Sequence, residues 1–286
     1  LVPNAGSDSV SIAFGSSTGV GPGWIGIDEL KKIDLPQDDD TPLSARPGDT
    51  NADLFSFIAT ANSGSNTVTV VRVHPDRTLQ ITGSYPVGEE PVEILVLNID
   101  SDLTNPNDSD DIITVNRAGN SISVARNTTS GASLTFAPPV QLPVGASTIL
   151  PSSIAAGDFD ADANGDTDLA VLADGVVKVF RNDLFSGDLA FTPLPDEPAG
   201  AAPLLVRSAD LNSDARDDVV TIAESAGALL LRGAARSGME NVNTLLGGSS
   251  PPPPLCAGDI NVTGDTNAAD FVILAGNFGA SVPPNT

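Results

Sequence analysis

Short apolar runs, each bounded by clusters of Asp, Asn, Gly and Ser, recur along the first 248 residues. Thr67-Val68-Thr-Val70-Val71 and Ser121-Ile122-Ser-Val124 alternate apolar and polar positions, the period of two expected of strands. Leu169-Ala-Val171-Leu172 and Val219-Val220-Thr-Ile222 are unbroken apolar runs of strand length, each entered from an Asp-rich loop. No helical period appears in this part of the chain, so the expected class is all-β.

The runs repeat in one order. Thr60-Ala-Asn62-Ser-Gly64-Ser-Asn66-Thr-Val68 matches Val2-Pro-Asn4-Ala-Gly6-Ser-Asp8-Ser-Val10, and the pattern returns at Val115-Asn116-Arg-Ala-Gly119-Asn120-Ser-Ile122. Shorter copies are Leu172-Ala-Asp174-Gly175-Val-Val177 and Ala223-Glu-Ser-Ala-Gly227-Ala-Leu229. Arg72, Arg126, Arg181 and Arg232 close the strand after each turn. Tyr85-Pro-Val-Gly88, Leu142-Pro-Val-Gly145 and Glu197-Pro-Ala-Gly200 mark the same register further on. Each unit reads as strand, Asp-rich loop, strand, Gly/Asn turn, third strand and a weaker fourth. Four short strands per ~50–57 residues is the arithmetic of propeller blades, which must stack on neighbours to make a core. The expectation is a β-propeller of about five four-stranded blades over 1–248. The chain enters its first blade at the second strand and opens on Leu1-Val2-Pro3 without Met, as a processed or truncated product would.

Composition adds a metal. The 286 residues carry a formal charge of −24, and the acids are thirty Asp against seven Glu. Asp is poor in strands and helices but suits turns and short oxygen-donor loops. Such a charge disfavours nucleic-acid and anionic-membrane partners, and no segment approaches the ~18 apolar residues that would argue for membrane insertion. It favours divalent cations.

The loops themselves carry the ligand pattern. Asp210, Asn212, Asp214 and Asp218 place oxygens at positions 1, 3, 5 and 9 of a turn, with the Arg216 carbonyl available at position 7. Hard cations such as Ca²⁺ take six to eight oxygens, and alternate residues of a tight loop can converge on one ion. Asp160, Asp162, Asn164, Asp166 and Asp168 offer a second such loop, with Asp158 as a competing start two residues earlier. Asn98, Asp100 and Asp102 begin a third, separated from Asp111 by an insertion. Asp49, Asn51 and Asp53 begin a fourth, but Phe57 stands where the last carboxylate belongs, which predicts an empty loop.

Gly157-Asp158-Phe159-Asp160 followed by Asp166-Thr-Asp168-Leu-Ala-Val171 resembles the FG-GAP or VCBS repeat. The resemblance implies integrin-α-like propeller blades, normally seven to a ring, with calcium between the first two strands. It implies that blades precede this chain.

After Gly247-Gly-Ser-Ser250, residues 249–255 include Pro251–Pro254, a stiff polyproline spacer. Residues 256–286 then hold Asp259, Asn261, Thr263, Asp265, Asn267 and Asp270, with Gly264 at position 6 of an EF-hand-like register. Phe271, Leu274, Ala275 and Phe278 line one helical face that Gly279 ends. The segment resembles one half of a type I dockerin, which implies calcium and a cohesin-like partner. It is a single copy, and Ala268-Ala269 occupy positions where cohesin-recognising dockerins often carry polar residues.

Catalytic signals are thin. His74, the one histidine, reads as an exposed hairpin residue, and nothing like Gly-x-Ser-x-Gly accompanies it. Cys256 has no histidine nearby, Trp24 is a lone aromatic, and Asn127-Thr-Thr129 fits a glycosylation sequon. The sequence therefore predicts a non-enzymatic, secreted or surface-exposed bacterial calcium-binding scaffold for adhesion, with a protein or carbohydrate ligand. The alternative is an accessory region of a secreted enzyme whose catalytic part lies outside this chain.

Overall fold

The structure is a computed structural model that describes residues 1–15, 27–36, 41–50, 55–100, 109–129, 133–145, 150–160, 166–183, 189–199, 203–211, 216–223, 227–232 and 240–241. The expected spacer and dockerin-like segment lie outside the described residues. The chain divides into two compact units, Leu1–Ser152 and Ser153–Thr286.

The first unit contains three antiparallel sheets. Strands β1 (Val2–Asn4), β2 (Ser9–Gly15) and β3 (Ile27–Asp34) form the first, in that order. The second runs β4 (Pro42–Thr50), β5 (Phe55–Asn62), β6 (Thr67–Val73) and β7 (Leu79–Pro86). The third runs β8 (Pro91–Leu97), β9 (Asp111–Asn116), β10 (Ser121–Ala125) and β11 (Val140–Pro143). In the second unit, β12 (Pro151–Gly157), β13 (Asp168–Ala173), β14 (Val176–Asn182) and β15 (Phe191–Pro193) form the fourth sheet, with β16 (Glu197–Pro198) also on β14. The fifth comprises β17 (Pro203–Ala209), β18 (Asp218–Ala223), β19 (Gly227–Arg232) and β20 (Glu240–Asn241).

Every sheet thus runs in sequence order, as the four-strand module predicts. The fourth strand is the irregular one. In the fourth sheet it splits into β15 and β16, which makes five strands rather than four. The third sheet shows the same break, with an isolated bridge Asn127–Phe136 ahead of β11. The turn between second and third strands contains a left-handed Asn or Asp in four sheets: Asp8, Asn66, Asn120 and Asp174, with φ of 42°, 59°, 48° and 46°. Asn and Asp tolerate that region better than other side chains with a Cβ, which is why they recur there.

The second strand of the second sheet, β5, is apolar on both faces because it is sandwiched. Ile58 and Val71 pack with Val10, Ile12 and Ala45 of the first two sheets. Their neighbours Phe57, Ala59, Val68 and Val70 face the opposite way, onto Ile94, Ile112, Ala125 and Phe136 of the third. In the second unit Ala170, Leu172, Val177 and Val179 meet Val206 and Val219. All six residues of β9 and of β13 are buried.

A polar ladder runs through the first unit, half-buried at Asn4 and buried at Asn62 and Asn116. Asn4, Asn62 and Asn116 end their strands, and each Nδ2 donates to two hydroxyls on the next strand. The partners are Ser9 and Ser11 (3.3 and 3.0 Å), Thr67 and Thr69 (3.2 and 2.9 Å), and Ser121 and Ser123 (3.0 and 2.8 Å). Buried amides are retained where such partners exist, since an unmade hydrogen bond costs more than a made one gains.

Candidate metal centre

The loop between first and second strands is held by one buried carboxylate. In the third sheet Asp111 takes the Ile99 N–H on Oδ2 (3.0 Å) and the Asn127 N–H on Oδ1 (2.6 Å). In the fourth, Asp168 takes the Phe159 N–H on Oδ2 (2.9 Å) and the Asn182 N–H on Oδ1 (2.7 Å). Asp218 repeats the first contact in the fifth, from Leu211 N–H at 3.1 Å. The asparagines brace the same corner: Asn127 Nδ2 donates to the Asp110 carbonyl (3.0 Å) and Asn182 Nδ2 to that of Thr167 (3.2 Å). The Asn127 amide is therefore engaged within the fold, which argues against the sequon reading.

These contacts also fix the loop register. Ile99, Phe159 and Leu211 are equivalent, so the residues before them, Asn98, Asp158 and Asp210, share position 1. Asp158, the competing start, is thus the structural equivalent, and Asp160 and Asp100 stand at position 3. One carboxylate oxygen each from Asp158, Asp160 and Asp168 lie within 4.8 Å of one another. Ligands on opposite sides of a Ca²⁺ ion are about 4.6–5.2 Å apart, twice the usual bond length. The set is hard, all-oxygen and anionic, and so fits that class of cation. Asp166, itself buried, adds its charge nearby.

Electrostatics agree. Burial pushes the Asp168 carboxyl up to about 7, more than its two backbone N–H bonds pull it down, and Asp160 and Asp166 push it the same way. Asp111 is likewise raised to about 7 by burial, opposed by the N–H bonds of Asn127 and Ile99; Asp100 raises it and Arg126 lowers it.

The remaining expected ligands divide unevenly. In the third sheet Asp100 lies near enough to Asp111 to act on its charge, and Asn98 is described; Asp102 lies outside the described residues. In the fifth, Asp210, Arg216 and Asp218 are described, whereas Asn212 and Asp214 lie outside. So do Asp162 and Asn164 in the fourth, and Asp259, Asn261, Thr263, Asp265, Asn267 and Asp270 in the tail. In the second sheet Phe57 is fully buried and meets Phe136 edge-on at 5.6 Å between ring centroids. Val73 there replaces the bracing asparagine, so carboxylate and partner are lost together.

The preceding aspartates do a separate job that the sequence did not disclose. Asp110 Oδ2 accepts from Asp49 N–H (2.8 Å) and its own N–H returns to the Asp49 carbonyl (3.0 Å), tying the third sheet to the second. Asp217 does the same with Asp158 (3.1 and 2.8 Å), tying the fifth to the fourth. A methyl group on Gly157 would overlap the Asp217 carboxylate, so glycine is required by the close approach. The doublets Asp110-Asp111 and Asp217-Asp218 were the available signal. Their first member staples the neighbouring sheet, and their second caps its own loop.

His74 sits in the β6–β7 turn as expected but is half-buried, with Nε2 3.2 Å from Gln80 Oε1. Trp24 and Cys256 lie outside the described residues. Among the described residues, no helix is long and apolar enough to cross a membrane.

No protein-family profile matches the chain, and no curated protein matches it. Among solved structures it is similar to a candidate 6-phosphogluconolactonase of Bacteroides fragilis, with TM-score 0.52 and 14% identity over 87% of this chain and 70% of that one. A second, from Bacteroides uniformis, gives TM-score 0.52 and 11% identity over 85% and 69%. A functionally unknown protein of Desulfotomaculum acetoxidans gives TM-score 0.48 and 18% identity, and the chain spans 61% of its length. The Bacteroides likenesses are of fold, a β-propeller-like succession of antiparallel sheets.

Proposed function

We propose that this chain is part of a calcium-stiffened β-propeller that serves outside the cell as a binding or adhesion scaffold. In this reading the chain supplies about five blades of a larger, seven-bladed ring. One observation carries the calcium reading, the convergence of Asp158, Asp160 and Asp168 oxygens within 4.8 Å beside a main-chain-anchored carboxylate. Three carboxylates held this close repel each other, which opposes folding until a cation arrives. Asp168, fixed by two backbone N–H groups, presents its oxygens without reorganisation, and Asp158 and Asp160 close on the ion from the loop. The ion supplies counter-charge and a rigid joint between first and second strands. Ligand contact then falls to the surfaces that these joints hold still, with a protein or carbohydrate as the expected partner. The tail would attach the scaffold to a cohesin-like partner.

Calcium titration of the chelated protein, followed by melting temperature, tests this. Stabilisation that Asp160→Asn abolishes is expected; an unchanged melt across the titration would reject structural calcium. The fold likeness to 6-phosphogluconolactonases motivates a second reading, an enzyme or the accessory part of one. Against it stands the lone histidine, half-buried in a hairpin turn beside Gln80. Hydrolysis of 6-phosphogluconolactone by the purified chain would overturn the scaffold assignment.

A further inference from the structure

Two of the arginines that close third strands reach the cation loops, and they do so differently. In the third sheet Arg126 lies on Asp100, with Nε at 2.8 Å and Nη2 at 2.7 Å from Oδ2. In the fourth, the equivalent Arg181 is held chiefly by Asp183 and keeps only a longer ion pair to Asp160. Its Nε and Nη2 both lie 2.6 Å from Asp183 Oδ1, and Nε stands 3.9 Å from Asp160 Oδ2.

The cause is one residue, two positions after the arginine. Asp183 and Thr128 are structurally equivalent: each donates its N–H to the returning segment, Asp183 to the Ala190 carbonyl (2.7 Å) and Thr128 to that of Thr135 (2.9 Å). Asp183 also accepts from Thr192. Thr128 carries no charge and bonds instead with the Thr135 hydroxyl (3.2 Å), so nothing at that place competes with Asp100 for the guanidinium. A guanidinium pressed on a carboxylate occupies the oxygen and the space that a metal ion would need.

We propose that Arg126 is the built-in cation of the third sheet's loop, and that Asp183 keeps the fourth sheet's loop open to a metal ion by holding Arg181 aside. The inference rests on the calcium reading above and adds what selects one loop over another. It makes Asp183 a positioning residue that touches no ion itself. It also assigns the third sheet's loop, which offers oxygens at positions 1 and 3, to an internal charge rather than to calcium.

The experiment is calorimetric titration of the full, chelated chain with calcium chloride, alongside melts in chelator. The fourth sheet's site is identified as the binding component that Asp160→Asn removes. Asp183→Thr, which installs the third sheet's residue, should weaken that component roughly tenfold or more as Arg181 closes on Asp160. The double variant Asp183→Thr/Arg181→Gln should restore it. Arg126→Gln should add a calcium equivalent. Exposed ion pairs add little to stability, so Asp183→Thr should move the melt in chelator by no more than about 2 °C. If Asp183→Thr keeps wild-type affinity while Asp160→Asn abolishes binding, the arginine account is wrong and the calcium reading stands. A weakened Asp183→Thr that the double variant fails to rescue overturns it equally. Absence of calcium uptake by the wild-type chain overturns both.

Discussion

Replacing Asp168 by Asn separates the two roles assigned to that carboxyl. The side chain is fully buried, and its two oxygens take one backbone N–H each, from Asn182 and Phe159. Asparagine keeps one acceptor and turns an NH₂ toward the other N–H. A buried donor left without its acceptor costs about 1–3 kcal/mol. Wild type carries a different burden. Its folded carboxyl is raised to about 7 from 3.8, so the native state holds a proton that the unfolded chain has already released. Stability from this group is therefore greatest below pH 4 and is lost as pH rises through the window from 4 to 7. Three units at about 1.4 kcal/mol each make the loss on the order of 4 kcal/mol at pH 8 without calcium. At pH 5 about 1.6 kcal/mol of that loss has already occurred, so Asp168→Asn should lie within about 1.5 kcal/mol of wild type there in chelator. At pH 8 in chelator it should equal or exceed wild type. Adding calcium at pH 8 should reverse the order, since only wild type gains about 2.7 kcal/mol at a hundredfold excess over Kd. Urea melts at both pH values, with and without calcium, read this directly. A wild type whose calcium-free stability is flat from pH 5 to 8, or an Asn variant that keeps the full calcium increment, refutes the reasoning.

Other consequences are simpler. Asn116→Ala removes two donated bonds, to Ser121 and Ser123, and one accepted from Thr114 (2.9 Å); it should cost about 2–3 kcal/mol in a denaturant melt. Gly157→Ala forces a methyl into the Asp217 carboxylate and should cost roughly 1–3 kcal/mol, with faster hydrogen exchange at the Asp158 and Asp217 amides as its local signature. Ile113→Ala, in a fully buried position of β9, should lose about 2–5 kcal/mol by calorimetry without altering calcium affinity.

Much of the fold can be read in the chain because its cues are local. Asn66, Asn120 and Asp174 announce left-handed turns, and the runs Leu169–Leu172 and Val219–Ile222 announce strands entered from acidic loops. The arginines 72, 126 and 181 keep register because they close the strand beside each loop. What was hidden depends on contacts across sequence. The spacing of Asp111, Asp168 and Asp218 suits a final metal ligand equally well as a buried cap, and only the N–H groups of residues such as Ile99 and Asn182 reveal the second role. The start of the fourth sheet's loop was ambiguous because Asp158 and Asp160 both fit the alternation. The targets of Arg126 and Arg181 depend on Thr128 and Asp183, residues with no motif of their own. Phe57 is the instructive exception: where the loop pattern lacks its last carboxylate, the corner is built from aromatic packing against Phe136.

Anomalous difference density from crystals grown in calcium is the most direct measurement. The account predicts a peak about 2.3–2.6 Å from one oxygen each of Asp158, Asp160 and Asp168, and none against Asp100 where Arg126 lies. Density without a peak among those three carboxylates, with the Asp160 side chain turned outward to water, would contradict it.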